Sequence, residues 1–342
     1  MKIVCDEHIP FLVEAVRREW HEVEICPMIP DKIDANTVRD ADILALRTRT
    51  KVNGHLLEGS RVRMVCTATI GFDHIDTAYC DAHHIRWTSC PGCNAQAVCN
   101  YIEEALDEYL IARSGLTAAR SDSEAVLQQR GLTLGIIGVG HVGSLVARMA
   151  ERKGLRVLLN DPPQGIGVSL GEIAENCDII TFHVPLTMPP SPSYRGGMGV
   201  FPTWHLCDGA FLAKCKPGAL IINAARGGVV DEQALLLSGH PYILDTWENE
   251  PHITPEVAQH AFRASMHIAG YSLQGKRNAT QMCLDAIAEA FSLPRIDISL
   301  YRYADTKKGD SAPGWLARIS DSLKKDTTAF ELLRKSYPLR EE

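Results

Sequence analysis

The length, composition and charge of the chain exclude several classes of protein. Its 342 residues exceed what one hydrophobic core usually serves, so we expect two domains with a short appendage. A net charge of -7 argues against a general nucleic-acid binder, because phosphate backbones attract a basic surface. The sequence has no apolar run long enough to cross a bilayer and no N-terminal stretch typical of a signal peptide, so we expect a cytoplasmic protein without membrane contact.

In the N-terminal part of the chain, short apolar runs alternate with amphipathic segments and turns. This alternation predicts parallel strands covered by helices on both faces, which is an α/β architecture. We expect strands near residues 3–5, 23–26, 43–47, 62–67 and 86–88. These strands are enough for one small doubly wound domain.

A second series of strands and helices follows a long predicted helix. Residues 94–112 contain helix formers with an apolar period of about 3.6 residues, long enough to link two domains. After the polar stretch 120–130 we expect strands near 132–137, 156–160, 178–182, 219–223, 242–245 and 265–268, and a helix over 276–291. The charged tail from residue 293 forms either loose surface helices or a contact with a second subunit.

The eleven cysteines form an odd number that is scattered through the chain. This distribution favours free thiols in a reducing compartment over a disulfide framework. Cys90 and Cys93 have CxxC spacing, but the sequence holds no second CxxC pair and offers no further zinc ligands that can be named. We therefore expect no metal.

A glycine-rich turn lies between a predicted strand and a predicted helix. Gly138, Gly140 and Gly143 have the GxGxxG spacing in which the glycines allow a tight turn, close approach of a pyrophosphate, and close packing of helix and strand. Asp161 ends the next strand, at the position where a carboxylate accepts a hydrogen bond from the adenosine ribose. This pattern predicts NAD rather than NADP as the cofactor; the alternative is that Asp161 is a turn residue before two prolines.

Three reactive side chains lie at the ends of later predicted strands: Arg226, Glu250 and His267. Oxidation of a 2-hydroxy acid requires a base that titrates near neutral pH, and histidine meets this requirement. A carboxylate would orient the imidazole, and an arginine would grip the substrate carboxylate with its planar fork. Each residue alone is ambiguous, since a single histidine after a strand is more often structural, but together they predict hydride transfer.

The segments GVGHVG at 138–143, NAARGG at 223–228, DTWENE at 245–250 and HIAG at 267–270 resemble the D-2-hydroxyacid dehydrogenase family. The resemblance implies two Rossmann-like doubly wound domains and a short C-terminal appendage. By this resemblance, residues 1–93 and 268–292 form the substrate domain, 94–267 the NAD-binding domain, and 293–342 a dimerisation-like tail. Arg226, Glu250 and His267 match the family's catalytic positions.

The resemblance also implies which residues bind the cofactor and the substrate. Thr48, Thr67 and Tyr271 would contact the substrate. Val184 stands where relatives commonly have threonine, so a cofactor contact there would come from its backbone. The cofactor-binding set is Gly138, Gly140, His141, Val142, Gly143, Asp161, Val184, Ala224, Ala225, Asp245 and Gly270.

Further segments resemble one branch of this family and imply a small phosphorylated hydroxy acid as substrate and a homodimer. They are DEHIPF near the start, LRTRTKVN at 46–53, CTATIGFDHID at 66–76, SCPGCNAQAV at 89–98, NDPP at 160–163, MHIAGYSLQGK at 266–276 and FELLRKSYPL at 330–339. Arg47, Arg49 and Lys51 follow a strand and offer positive charge for a phosphate. The alternative is a basic surface loop, and strand alternation leaves only some of the three pointing inward.

Two other functions remain open at the level of sequence. One is a dehydrogenase of the same family with a different substrate, such as a phosphoglycerate, glyoxylate or hydroxypyruvate dehydrogenase. The other is a binding protein that uses NAD as a signal, as corepressors of this family do. The segment 187–202 is rich in proline and glycine, which predicts an inserted loop near the cofactor.

Overall fold

The computed structural model describes residues 1–114, 131–189, 201–302 and 314–340, which divide into two compact units. The first unit contains residues 1–94 and 271–302, and the second contains the remaining described residues. The polar stretch 120–130 and most of the predicted inserted loop lie outside the described residues. Within the described ranges, no helix has the length and apolar character needed to span a membrane.

Strands and helices alternate along most of the chain. The strands are β1 Lys2–Asp6, β2 Glu24–Met28, β3 Ile43–Leu46, β4 Met64–Thr67, β5 Arg86–Thr88, β6 Thr133–Ile137, β7 Arg156–Asp161, β8 Ile166–Gly167, β9 Ile179–Phe182, β10 Leu220–Asn223, β11 Tyr242–Leu244 and β12 Arg263–Ala264. The helices are α1 Leu12–Glu19, α2 Gly54–Leu57, α3 Thr77–Ala82, α4 Ala95–Ser114, α5 His141–Arg152, α6 Leu170–Asn176, α7 Gly209–Leu212, α8 Glu232–Ser238, α9 Pro255–His260, α10 Leu273–Phe291, α11 Trp315–Lys325 and α12 Phe330–Ser336.

The first unit is built on a parallel five-stranded sheet in the order β2-β1-β3-β4-β5. Successive residues of β1 face opposite sides of the sheet, so Ile3 belongs to one apolar core and Val4 to the other. Leu284 of α10 packs into the core that contains Ile3. Leu46 and Thr67 are paired across β3 and β4, so these two strands end side by side.

The second unit contains a seven-stranded sheet in the order β12-β11-β10-β9-β6-β7-β8. All neighbouring pairs are parallel except β7 with β8. The interior strand β10 is fully buried at Leu220, Ile221 and Ile222, as expected of a parallel strand with helices on both faces. The two sheets confirm the predicted α/β class; the two-residue strand β8 has no apolar run and was not predicted.

The predicted strand at 265–268 is wrong, because the strand in this region is β12 at Arg263–Ala264. After β12 the chain turns: His267 has a φ of 58°, in the left-handed region. The carboxylate of Asp245 accepts hydrogen bonds from the backbone N–H groups of Ile268 and Ala269, at 2.8 and 2.9 Å. This long-range contact replaces the strand pairing that an apolar run favours.

The C-terminal part of the chain is divided between the two units, whereas the sequence predicts a separate tail. Ile296 and Ile298 pack in the core of the first unit. Helices α11 and α12 belong to the second unit, and the Ser320 hydroxyl of α11 accepts a hydrogen bond from the N–H of Ala264 at 3.0 Å. Leu316 and Phe330 are fully buried, which explains why these amphipathic helices pack against the unit rather than remaining loose.

Candidate active site

The glycine-rich turn joins β6 to α5 in the second unit, as predicted. Gly138 has a φ of 91°, which a side chain would strain. A Cβ on Gly143 would lie 2.0 Å from the carbonyl oxygen of Gly138, so only glycine allows the helix to begin this close to the turn. A Cβ on Gly140 would meet nothing within 4 Å. The turn therefore leaves open space in front of the first residues of α5, His141 and Val142.

Asp161 ends β7 beside this turn and is 8% exposed. Its Oδ2 accepts hydrogen bonds from the N–H of Val139 at 2.7 Å and from the side chain of Gln164 at 2.6 Å. These contacts place a carboxylate next to the open glycine turn, where unpaired N–H groups at a helix N-terminus attract phosphate. The residues present therefore fit a dinucleotide, whose phosphates would lie at Gly140 and whose ribose would lie at Asp161; both contacts stay predictions.

Other predicted cofactor residues lie near the same strand ends. The side chain of Val184, after β9, packs 2.9 Å from the position that a Cβ on Gly138 would occupy. Ala224 and Ala225 follow β10, and the N–H of Ala225 donates to the side chain of Asn223 at 3.1 Å. A contact of any of these residues with NAD stays a prediction.

His267 and Glu250 form a direct pair in the second unit. The Nδ1 of His267 lies 2.8 Å from Oε2 of Glu250, and Oε1 of Glu250 accepts from the N–H of Trp247 at 2.9 Å. Burial by itself would raise the pKa of Glu250, but the hydrogen bond and charge of His267 and the Trp247 N–H lower it below its ordinary value. Glu250 is therefore an ionised partner for the imidazole.

The three predicted catalytic residues follow three neighbouring strands. Arg226 comes after β10, Glu250 after β11 and His267 after β12, and these strands are adjacent in the sheet. A Cβ on Gly227 would lie 1.9 Å from the carbonyl oxygen of Trp247, so the turn after Arg226 packs directly on the segment that leads to Glu250. Parallel strands end at the same sheet edge, which brings the trio into one region.

Asp245 is fully buried, and its carboxylate serves the backbone of the His267 segment. Its Oδ1 also accepts from the Ser265 hydroxyl at 2.6 Å. From the opposite side, Arg340 donates to the carbonyl oxygens of Ile268 and Ala269 at 3.0 and 2.5 Å. The two charged side chains thus bind the backbone of the same two residues, Ile268 and Ala269, just after His267. A cofactor contact of Asp245 stays a prediction.

A second group of acidic residues, linked to the segment that leads to Glu250, was not predicted. The N–H of Glu248 donates to Oε1 of Glu232 at 2.7 Å. Burial raises the pKa of Glu232 to about 7, against the lowering effect of that hydrogen bond. His205 lies between Glu248, 2.6 Å from Nε2, and Asp231, 3.8 Å from Nδ1. Because the carboxylates meet opposite nitrogens of the ring, this geometry suits a hydrogen-bonded histidine better than a metal ligand.

The predicted substrate residues lie in the first unit. Thr67 ends β4 and is fully buried, and its hydroxyl lies 2.7 Å from that of Thr69 and 3.1 Å from Nε2 of His74. Thr48 is exposed on the turn after β3, and Tyr271 is half-buried before α10. Of the three basic residues on the turn, Arg47 is half-buried, while Arg49 and Lys51 are exposed. Strand alternation alone does not decide which of these three basic side chains points inward.

Comparison with known proteins shows relatives along the whole chain. Residues 111–269 match the family model described as D-isomer specific 2-hydroxyacid dehydrogenase, NAD binding domain. The chain is 41% identical to erythronate-4-phosphate dehydrogenase of Bacteroides thetaiotaomicron, over all of this chain and 97% of that protein. The enzyme of the same name from Pseudomonas putida is 36% identical, over all of this chain and 93% of that protein. These matches confirm the predicted family and the predicted cofactor, NAD.

Solved structures share the fold at lower sequence identity. D-lactate dehydrogenase from Aquifex aeolicus, complexed with NAD and lactic acid, has a TM-score of 0.64 at 23% identity, covering 85% of this chain and 95% of that one. The 3-phosphoglycerate dehydrogenase of Entamoeba histolytica with bound NAD+ has a TM-score of 0.65 at 22% identity, with the same coverage. These likenesses support the two-unit α/β architecture.

Proposed function

Because the chain belongs to the D-isomer specific 2-hydroxyacid dehydrogenase family, we propose that it oxidises 4-phospho-D-erythronate with NAD. The product is 3-hydroxy-2-oxo-4-phosphobutanoate, and the reaction serves the biosynthesis of pyridoxal 5'-phosphate. The observation that carries the proposal is the His267–Glu250 pair in the same unit as an open dinucleotide turn. The names of relatives that match the full chain support the choice of substrate.

The cofactor is held by the glycine turn and by Asp161. Backbone N–H groups at the start of α5 would bind the phosphates, and the Asp161 carboxylate would accept a hydrogen bond from a ribose hydroxyl. A carboxylate at this position repels a 2'-phosphate, so NAD is preferred over NADP. When it is bound, the nicotinamide supplies the hydride acceptor.

His267 acts as the base in this reaction. The contact with Glu250 occupies Nδ1, which leaves Nε2 to take the proton of the C2 hydroxyl while the hydride leaves C2. The ionised Glu250 stabilises the imidazolium that forms. Arg226 binds the substrate carboxylate through its guanidinium and holds C2 in position. Thr48, Thr67 and Tyr271 contact the rest of the substrate.

The test is a substrate panel with the purified full chain. We expect NAD reduction, followed by the absorbance of NADH, with erythronate 4-phosphate, and a much lower kcat/KM with 3-phosphoglycerate, glycerate and D-lactate. NADP should be a poor cofactor. Turnover of 3-phosphoglycerate or glycerate without turnover of erythronate 4-phosphate would contradict the assignment and favour a different member of the family. NAD binding without any turnover would favour a binding protein.

We also propose that the enzyme is a homodimer in the cytoplasm. The support for a dimer is that Leu300 and Leu332 are 88% and 69% exposed on the C-terminal segments. The support for a reducing compartment is that none of the eleven cysteines forms a disulfide, and that ten of them are buried. Light scattering after gel filtration should give the mass of two chains, and a monomer at micromolar concentration would contradict the dimer.

A further inference from the structure

Lys276 lies in the first turn of α10, in the first unit, and is half-buried. Its Nζ lies 5.6 Å from the centre of the Tyr271 ring. Burial, and to a smaller extent the positive charge of Arg47, lower the pKa of Lys276 to about 8. Among the described residues, no carboxylate acts to raise that pKa. Lys276 and Arg47 are thus two half-buried cations of the first unit that repel each other.

A buried lysine with a structural role looks different in this protein. Lys153, in the second unit, lies 2.9 Å from Asp107 and 3.0 Å from Glu103, and these carboxylates raise its pKa despite burial. A buried charge is costly unless it is paired. The pair formed by Lys276 and Arg47 is not neutralised in this way, so an anion that enters from outside the chain would relieve both the desolvation and the mutual repulsion.

The surroundings of Lys276 belong to the edge of the sheet where the predicted substrate residues lie. Arg47 directly follows β3, and the paired strand β4 ends at Thr67. The thiol of Cys90 lies 3.3 Å from the carbonyl oxygen of Thr67 and 3.2 Å from that of Ala279 in α10. Ala279 is one helical turn after Lys276, on the same face of the helix. Cys90 thus connects the N-terminal half of α10, which contains Lys276, to the end of β4.

We propose that Arg47 and Lys276 bind the phosphate of a dianionic phosphomonoester substrate. The proposal rests on the proposed function, because it deepens the substrate recognition of the same enzyme. The guanidinium of Arg47 offers N–H groups in a planar fork, and the ammonium of Lys276 offers a point charge. Two positive groups match a dianion, whereas a substrate that ends in a neutral hydroxymethyl or methyl group leaves them buried and unpaired. The site thereby selects phosphorylated over unphosphorylated hydroxy acids.

The proposal is tested by comparing two substrates and one inhibitor in the full-length protein. Lys276→Met should raise KM for erythronate 4-phosphate about 10- to 150-fold, the range for a lost hydrogen bond to a charged group. It should leave kcat/KM for unphosphorylated D-erythronate and the KM for NAD within a factor of about two. Inorganic phosphate should inhibit the wild type competitively with the substrate, and this inhibition should weaken by a similar factor in the variant.

Control variants separate phosphate binding from folding. Lys276→Arg keeps the charge and should retain most of the phosphate affinity, while Arg47→Met should lose it as Lys276→Met does. Lys32→Met removes an exposed cation from the same unit and should change nothing. Melting temperatures report on folding; if Lys276→Met does not fold, Arg47→Met and Lys276→Arg carry the test.

Two results would overturn the proposal. One is an equal loss with phosphorylated and unphosphorylated substrates in Lys276→Met, which would show that Lys276 only supports Tyr271. The other is a full loss of phosphate inhibition in Lys51→Met with no such loss in Lys276→Met, which would assign the phosphate to the exposed turn.

If the wild type does not oxidise erythronate 4-phosphate, the proposed function fails. Direct titration of inorganic phosphate into wild type and Lys276→Met would still test the anion site.

Discussion

The two units use the same construction, but their first strand-to-helix turns differ. In the second unit the turn after β6 is made of glycines, and the space at Gly140 is open. In the first unit the turn after β1 carries bulky side chains and ends at Phe11, which has a φ of 64°. The carboxylate of Asp6, at the end of β1, is paired with His8. The backbone nitrogen and the Nδ1 of His8 lie 2.9 and 3.0 Å from Oδ1 of Asp6.

This difference shows how one fold serves two tasks. A parallel sheet presents its strand ends at one edge, and the residues there decide what binds. In the second unit, the glycines leave room for a pyrophosphate to approach the backbone. In the first unit, side chains occupy the corresponding turn after β1. In the proposed function, cofactor binding and hydride chemistry belong to the second unit, and recognition of the phosphorylated end of the substrate belongs to the first.

The largest expected effect comes from removing the base. His267→Asn should lower kcat by roughly 10²- to 10⁴-fold, the usual contribution of acid–base catalysis, with little change in NAD affinity. Steady-state kinetics and NADH fluorescence titration measure the two quantities. The matched control is His8→Asn in the first unit, a side chain that is 55% exposed. A loss of kcat in His8→Asn as large as in His267→Asn would break the assignment of chemistry to the second unit.

The glycine turn gives a prediction that separates cofactor binding from stability. Gly143→Ala places a Cβ 2.0 Å from a backbone oxygen and should cost about 3 kcal/mol of folding free energy, together with most NAD affinity. Gly140→Ala meets nothing in the protein, so its melting temperature should stay unchanged while NAD affinity falls. Unchanged NAD affinity in Gly140→Ala would show that the open space is not where the phosphates bind.

Two buried carboxylates, one in each unit, should respond to pH in opposite ways. The folded pKa of Glu232 is about 7, above its ordinary 4.5, so the folded state holds this proton more tightly and loses stability as the pH rises between these values. Glu232→Gln should therefore stabilise the protein at pH 8 by about 2–3 kcal/mol and have little effect at pH 4. Urea unfolding at several pH values measures this difference.

The control in the first unit is Asp42. Burial would raise its pKa, but the Lys2 N–H, Arg61 and Arg63 lower it below the ordinary value. Its ionised form contributes stability that is present above the ordinary pKa and is lost as the pH falls through the lowered one. Asp42→Asn should thus destabilise at neutral pH. Destabilisation at pH 8 by Glu232→Gln, as by Asp42→Asn, would contradict the raised pKa of Glu232.

The smallest expected effect concerns Arg340 and the segment after His267. Arg340→Met removes the donors to the carbonyl oxygens of Ile268 and Ala269. Since the buried charge is removed as well, which offsets part of this loss, the free energy of unfolding should fall by only about 1–2 kcal/mol. The loosened segment should lower kcat a few-fold while KM for NAD changes less. Lys335→Met, an exposed change in α12, is the control. An unchanged kcat in Arg340→Met would leave the C-terminal segment without a part in positioning His267.

Local sequence patterns were enough to predict the strands and the glycine turn. Periodic apolar runs mark the strands in the sequence, and parallel strands end at a shared edge of the sheet. The residues after these strands could therefore be predicted to lie at that edge: the GxGxxG turn, Asp161 and the trio Arg226, Glu250 and His267. The spacing of the glycines reports a steric requirement that is confined to a few neighbouring residues. Such requirements can be recognised without knowing what lies elsewhere in the fold.

Other features depended on residues far apart in the chain. The apolar run at 265–268 is a turn because the carboxylate of Asp245, itself after another strand, binds its N–H groups. Glu232 has a raised pKa only because it is buried beside Glu248. Lys276 is a candidate for an anion site only because Arg47 acts on it and, in the described part of the chain, no carboxylate raises its pKa. Strand ends and glycine turns follow from short-range sterics, whereas burial and charge environment arise when distant segments pack together.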